Sequence, residues 1–197
     1  MRGKPARLGC LFALLVGLAL IALYLLLTGP RDLDAYPPQA TSPYRLPWPA
    51  GVTRFCIQGN RAVVSHREPS REIAWDFVMP VGSDVLAARG GRVTRVVVTN
   101  DARGADAPNN LISIDHDDGT SGWYLHLEKG GALVAVGDVV RQAQRIARSG
   151  NVGKSMLPHL HFEVRGPDGV TLPVSFADVT EDRGVPRMLH RYTSGNR

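Results

Sequence analysis

The sequence predicts a mainly β domain, a compact sheet or sandwich, preceded by one transmembrane helix. Three observations carry this. Residues 8–29 contain no charged side chain. From about Gly51 onward, short β-branched and aromatic runs alternate with Gly, Asn and Asp punctuation. No amphipathic helical period appears after residue 30. The chain of 197 residues suffices for one domain with appendages.

Residues 1–7 form a basic tail with Arg2, Lys4 and Arg7 and no acid. The run over 8–29 is long enough at 1.5 Å per residue to cross a bilayer core of about 30 Å. Basic residues precede it, so the positive-inside rule puts the N-terminus in the cytoplasm and the rest of the chain on the periplasmic or extracellular side. A cleaved signal peptide is the competing reading. The long apolar region and the lack of small-residue pairs near Leu25 to Leu27 favour an uncleaved anchor in the cytoplasmic membrane. Residues 30–50 hold Pro37, Pro38, Pro43, Pro47 and Pro49 and read as a semi-rigid spacer.

The β-rich domain is expected over 51–180. Its strands are read at Val52 to Ile57, Ile73 to Met79, Gly91 to Thr99, Leu111 to Asp115, Trp123 to Leu127, Ala132 to Val136, Arg145 to Arg148 and His159 to Arg165. Asp117-Asp118-Gly119-Thr120 is a hairpin turn. Residues 181–197 are polar and read as a loose tail.

The net charge of +5 arises from 23 Lys+Arg against 18 Asp+Glu. Without the three basic residues of the tail the surplus falls to two, so no nucleic-acid footprint is expected. Cys10 lies in the apolar run and Cys56 in the domain, which makes a disulfide between them implausible. Cys56 reads as a buried strand residue.

Three strands interrupt their apolar alternation with metal-type side chains. Asp76 stands between Trp75 and Phe77. His126 stands between Leu125 and Leu127 and shares a face with Tyr124. His159, His161 and Glu163 share one face of a strand whose other face carries Leu160, Phe162 and Val164. Imidazole is the commonest metal ligand, and two on one strand are pre-oriented for one site.

These segments carry a specific resemblance. Ala74-Trp75-Asp76-Phe77 followed by Met79-Pro80-Val81-Gly82, then Tyr124-Leu125-His126-Leu127, then Ser149-Gly150-Asn151 leading to Pro158-His159-Leu160-His161-Phe162, appear in an order similar to that of lysostaphin-type (LytM-domain) zinc metalloendopeptidases. That family cuts peptide cross-bridges in bacterial peptidoglycan, and the likeness runs from about residue 50 to 178. It implies a compact antiparallel β-sheet or sandwich domain with an open groove. It also implies one zinc ion per chain, a peptidoglycan peptide as substrate, Asp76 and His161 as ligands, and His126 and His159 as the catalytic histidines that orient or deprotonate water and stabilise the oxyanion. Either of the two can be the base. Three protein ligands leave a fourth position open for water.

The first ligand departs from the common family pattern, since Glu72 occupies the slot four residues before Asp76. Ser65-His66 matches an alternative version with a longer loop, so His66 is expected as the third ligand, with Glu72 as the alternative. Val152, Met156 and Leu157 also depart from the family pattern, on a loop rimming the groove. A degenerate family member that regulates another cell-wall hydrolase is the rival function; a lipoyl- or biotin-carrier-like hairpin domain lacks the required lysine. His116 reads as structural or exposed and His190 as solvated, while Glu163 either supports the site or is an ordinary edge residue.

Overall fold

The computed structural model describes residues 5–28, 32–62, 65–66 and 68–197; the side chains at 5–8, 11 and 24–28 lie outside that description. Helix α1 spans Pro5–Thr28. Its side chains Phe12, Leu14, Leu15, Leu18, Leu20 and Ile21 are exposed. Among the described residues, no helix is long and apolar enough to cross a membrane. The anchor expected over 8–29 is therefore not shown, and part of that run, like part of the basic tail, lies outside the described residues.

Eleven strands follow among the described residues: β1 (Thr53–Gln58), β2 (Trp75–Val78), β3 (Asp84–Leu86), β4 (Gly91–Val97), β5 (Leu111–Asp115), β6 (Ser121–Leu125), β7 (Leu127–Ala132), β8 (Val139–Val140), β9 (Arg145–Ser149), β10 (His159–Arg165) and β11 (His190–Thr193). Eight form one sheet in the order β11-β1-β2-β10-β6-β5-β4-β8, and β3-β9-β7 form a second. Every strand pair in these sheets is antiparallel.

The strands form where the apolar alternation says they should. Trp75, Phe77, Leu160, Phe162, Val164, Ile112, Ile114 and Tyr124 point to one side of the large sheet and are fully buried. They join Val85, Leu127, Ile146 and Ala147 of the second sheet, and Ala87 just after β3, in one core. Burial of such side chains contributes roughly 1.5–3 kcal/mol each. The other side of the large sheet carries the polar residues. The β5–β6 hairpin forms as expected, with Asp115 opposite Ser121 and Gly119 at φ 81° in the turn.

Two segments differ from the sequence expectation. The spacer expected over 30–50 is not seen in its described part, 32–50, because Tyr36, Tyr44, Leu46 and Trp48 are buried in the core. Trp48 stacks edge-on against Phe77 at 4.7 Å and its indole N–H donates to the Val52 carbonyl at 2.8 Å. Prolines punctuate this segment, but its aromatic residues have an apolar surface to cover. The C-terminal residues are not a loose tail either. β11 pairs with β1 from Thr53↔Thr193 to Cys56↔His190, which also takes His190 into the sheet. Tyr192, Ser194 and Asn196 are buried, and Asn196 Nδ2 donates to the carbonyls of Leu46 and Ala87. The strand expected at Ala132 to Val136 is displaced, since β7 ends at Ala132.

Candidate metal centre

One row of residues crosses the open side of the large sheet. Gln58 on β1 is the register partner of Asp76 on β2, Asp76 of His161 on β10, and His161 of Leu125 on β6. Three donor residues meet in and beside this row. His66, Asp76 and His161 each offer a ligand atom, and these atoms lie within 4.8 Å of one another. His66 arrives from the loop between β1 and β2. Glu72, on the same loop, is not part of the cluster; its carboxylate accepts from Arg61 Nε at 2.9 Å.

The donor chemistry fits a cation. The Nδ1 of His66 lies 2.9 Å from the Gly59 carbonyl. A carbonyl only accepts, so Nδ1 carries a proton, and in the neutral ring the Nε2 lone pair is free. That Nε2 is buried with no hydrogen-bond partner and lies 3.5 Å from Asp76 Oδ1. An orphaned buried acceptor beside a carboxylate is costly unless something positive joins them. The second oxygen of Asp76 is already held, accepting from Gln58 Nε2 at 2.6 Å. Gln58 in turn hydrogen-bonds Ser65 at 3.0 Å, next to His66 in the chain.

His161 bridges two carboxylates. Its Nδ1 lies 2.8 Å from Asp76 Oδ1 and its Nε2 lies 3.2 Å from Glu163 Oε2. Burial disfavours its charge, but the hydrogen bonds to Asp76 and Glu163 and their negative charges outweigh this and push the imidazole up to about 10. Burial raises Asp76, yet the hydrogen bond and the charge of His161 hold it well below the usual carboxylate range. Glu163 is likewise disfavoured by burial and then lowered to about 2 by His161 and Arg165. The site holds a proton where a cation would sit. With a cation at Nδ1, the ring would still donate its Nε2–H to Glu163, which fixes its orientation. Glu163 thus supports the site rather than being an ordinary edge residue.

His126 and His159 pack beside the cluster with ring centroids 4.4 Å apart and ring planes tilted by 49°. His159 Nε2 lies 3.6 Å from Asp76 Oδ1. The Nδ1 of His126 is bound at 2.8 Å to the Val152 carbonyl, and that of His159 at 2.8 Å to the Leu157 carbonyl. In its neutral form each ring therefore keeps its Nε2 lone pair as an acceptor. Burial above all pushes His126 down to about 3. The loop that departs from the family pattern at Val152 and Leu157 acts through its main chain, and Met156 is fully solvent-facing.

The route by which His126 reaches this side corrects the sequence expectation. Tyr124 and Leu127 are fully buried in the core, whereas Leu125 lies opposite His161 on the open side. Simple alternation would send His126 into the core with Tyr124. Instead His126 adopts φ 64°, a left-handed conformation uncommon outside glycine, and its N–H donates to Asn109 Oδ1 at 3.0 Å. This residue lies between the end of β6 and the start of β7, so the chain changes sheet at the histidine.

Gln58, Asn109 and the carbonyls of Val152 and Leu157 were not found from sequence. Gln58 is a polar end to an apolar strand, a weak signal, and main-chain acceptors have none. His116 is buried with Nδ1 2.8 Å from the Gly90 carbonyl, away from the cluster, consistent with a structural role. Cys56 is fully buried on β1 and unpaired.

Comparison with known proteins bears on this centre. The chain is 38% identical over 88 residues to lysostaphin of Staphylococcus simulans, covering 45% of this chain and 17% of that protein. It is 41% identical over 93 residues to the peptidoglycan DD-endopeptidase ShyA of Vibrio cholerae serotype O1, covering 46% of this chain and 20% of that one. The chain thus spans only about a fifth of the length of these relatives. The solved structure of the deep-sea M23 metalloprotease pseudoalterin superposes with a TM-score of 0.50 at 23% identity, over 68% of this chain and 75% of that one, which supports the fold alone. The model of Peptidase family M23 matches residues 71–173, just over half the chain, from before β2 to beyond β10 and including Asp76, His126, His159 and His161 though not His66, and the chain belongs to that family.

Proposed function

We propose that this protein is a zinc-dependent endopeptidase that hydrolyses peptide amide bonds in peptidoglycan cross-links. The observation that carries the reading is the convergence of His66, Asp76 and His161 beside two histidines whose Nδ1 atoms are each held by a main-chain carbonyl. His66, Asp76 and His161 would hold the metal, a two-nitrogen, one-oxygen set suited to zinc with an open position. When bound, zinc supplies Lewis-acid activation of water and of the scissile carbonyl.

The remaining chemistry falls to the chain. One of His126 and His159 takes the proton of the attacking water at its Nε2 and passes it to the leaving amine, while the Nε2 lone pair of the other accepts from the water and orients it. The carbonyls of Val152 and Leu157 hold each ring in the acceptor tautomer before the proton moves. Gln58 and Glu163 keep Asp76 and His161 aimed.

The same reading makes the chain a single-pass protein of the cytoplasmic membrane with its β domain on the periplasmic or extracellular side. The basic residues before the uncharged run and the exposed apolar side chains of α1 support it. Protease added to spheroplasts should then degrade the β domain.

The test of activity is incubation of purified chain with isolated sacculi, with released peptides identified by mass spectrometry. Cleaved cross-links that vanish on chelation and return with zinc support the reading. A chain that binds no zinc and releases nothing, yet stimulates a separate cell-wall hydrolase, sinks it in favour of the regulator.

A further inference from the structure

Next to the catalytic row on the open side lies a second row. Glu163 on β10 pairs with Trp123 on β6, Trp123 with Ser113 on β5, and Ser113 with Arg95 on β4. It is displaced by two residues along each strand, about 7 Å from the row of Asp76 and His161. Trp123 is half-buried, and its indole N–H donates to Ser121 Oγ at 2.9 Å. The Arg165 guanidinium carbon sits 4.1 Å from the Trp123 ring centroid and that of Arg95 sits 5.2 Å away. Both distances are within cation–π range.

The two cations are not equally occupied. Arg165 Nε and Nη2 donate to Glu163 Oε1, which leaves Nη1 outside that pair. Arg95 is exposed and makes no ion pair or side-chain hydrogen bond among the described residues. The nearby carboxylates are already engaged. Glu163 is shared between His161 and Arg165, and Asp115 accepts from Thr94 Oγ1 at 3.0 Å. An aromatic platform thus holds two guanidinium groups beside the site, with donor capacity to spare.

We propose that Arg95, Trp123 and Arg165 form a subsite for a free carboxylate of the peptide substrate. This rests on the peptidase reading and adds a substrate class to it. Planar guanidinium donors match a carboxylate better than a neutral amide or sugar hydroxyl. An extended peptide advances about 3.4 Å per residue, so the recognised carboxylate belongs within about two residues of the scissile amide. The chain therefore prefers peptides that carry an uncapped carboxylate there, and amidation of that group weakens binding.

The experiment titrates the zinc-stripped full chain with acetyl-Lys-D-Ala-D-Ala and with its C-terminal amide, following tryptophan fluorescence. Trp48 and Trp75 are fully buried, so Trp123 supplies the response. The acid should bind about fivefold to tenfold more tightly than the amide, and added salt should erode that advantage. Arg95→Ala should bring the acid down to the affinity of the amide and leave the amide unchanged. Equal binding of acid and amide, no binding of the acid, or equal weakening of both by Arg95→Ala overturns the proposal. The two readings fail separately: a chain that discriminates the peptides but never cuts sacculi keeps the subsite and loses the enzyme. One that cuts sacculi without discriminating does the reverse.

Discussion

Asp76 and His161 are register partners on neighbouring strands, and His161 Nδ1 approaches Asp76 Oδ1 to 2.8 Å. Directly opposite residues of an antiparallel pair lie close enough for their side chains to meet. The sheet itself therefore brings two ligand types together, and any change in register between β2 and β10 would separate them. Several consequences can be measured.

Zinc should bind at about one ion per chain, be lost in His66→Ala and be kept in Glu72→Ala. Metal analysis after dialysis checks this. Glu72 pairs with Arg61 in a partly exposed setting, so its loss should cost at most about 1 kcal/mol in stability. Loss of zinc in Glu72→Ala with retention in His66→Ala would reverse the assignment.

Without metal, stability should depend on pH through the bridged imidazole. The His161 value is raised from 6.5 to about 10 in the folded chain. Its contribution is full below 6.5 and lost as pH rises through about 10. Glu163 is lowered from 4.5 to about 2, so its contribution is present above 4.5 and lost as pH falls through about 2. The metal-free Tm should peak between those limits. Zinc must displace the His161 proton, so its affinity should instead rise with pH. A metal-free Tm that climbs from pH 6.5 to 10 would contradict the arrangement.

Gln58→Leu removes the donor 2.6 Å from Asp76 Oδ2 and leaves a buried carboxylate oxygen unsatisfied. The expected cost is about 1–3 kcal/mol in stability. Zinc affinity should fall roughly 10- to 100-fold. Denaturant unfolding and competitive metal titration read the two effects separately.

His126→Ala and His159→Ala should each lower kcat by about 10²- to 10⁴-fold while zinc content stays at that of the parent. Steady-state hydrolysis of a fluorogenic peptide, paired with metal analysis, is the check. Because His126 sits at φ 64°, His126→Gly should be more stable than His126→Ala at equal loss of activity.

Trp48→Ala should destabilise the domain by about 3–5 kcal/mol, because the indole is fully buried against Phe77. Removing residues 190–197 strips β11 from β1 and should lower the Tm sharply. An unchanged Tm for either variant would mean that these segments are spacer and tail after all.

Sequence reading recovers most where information is local. Period-2 alternation in Trp75-Asp76-Phe77 and in Leu160-His161-Phe162 put apolar neighbours in the core and polar residues on the open side, as observed. The hairpin at Asp117 to Thr120 was marked by its turn residues. Local composition misled at 30–50 and 181–197, where prolines and polar residues obscured Leu46, Trp48, Tyr192 and Asn196. Whether such residues pack depends on an apolar surface elsewhere in the chain.

By itself the sequence determined a β domain, the two-faced strands carrying Asp76, His159 and His161, and the residue types from which a metal centre can be built. Tertiary structure alone decided which distant groups join them. It brought the His66 loop over Asp76, turned Glu72 toward Arg61, and aligned Gln58 with Asp76 across β1 and β2. It also reversed His126 out of the core by one left-handed residue between two sheets. Alternation encodes only which side of a strand a residue faces. The register between strands, the path of a loop and the sign of a single φ depend on contacts that no local pattern contains.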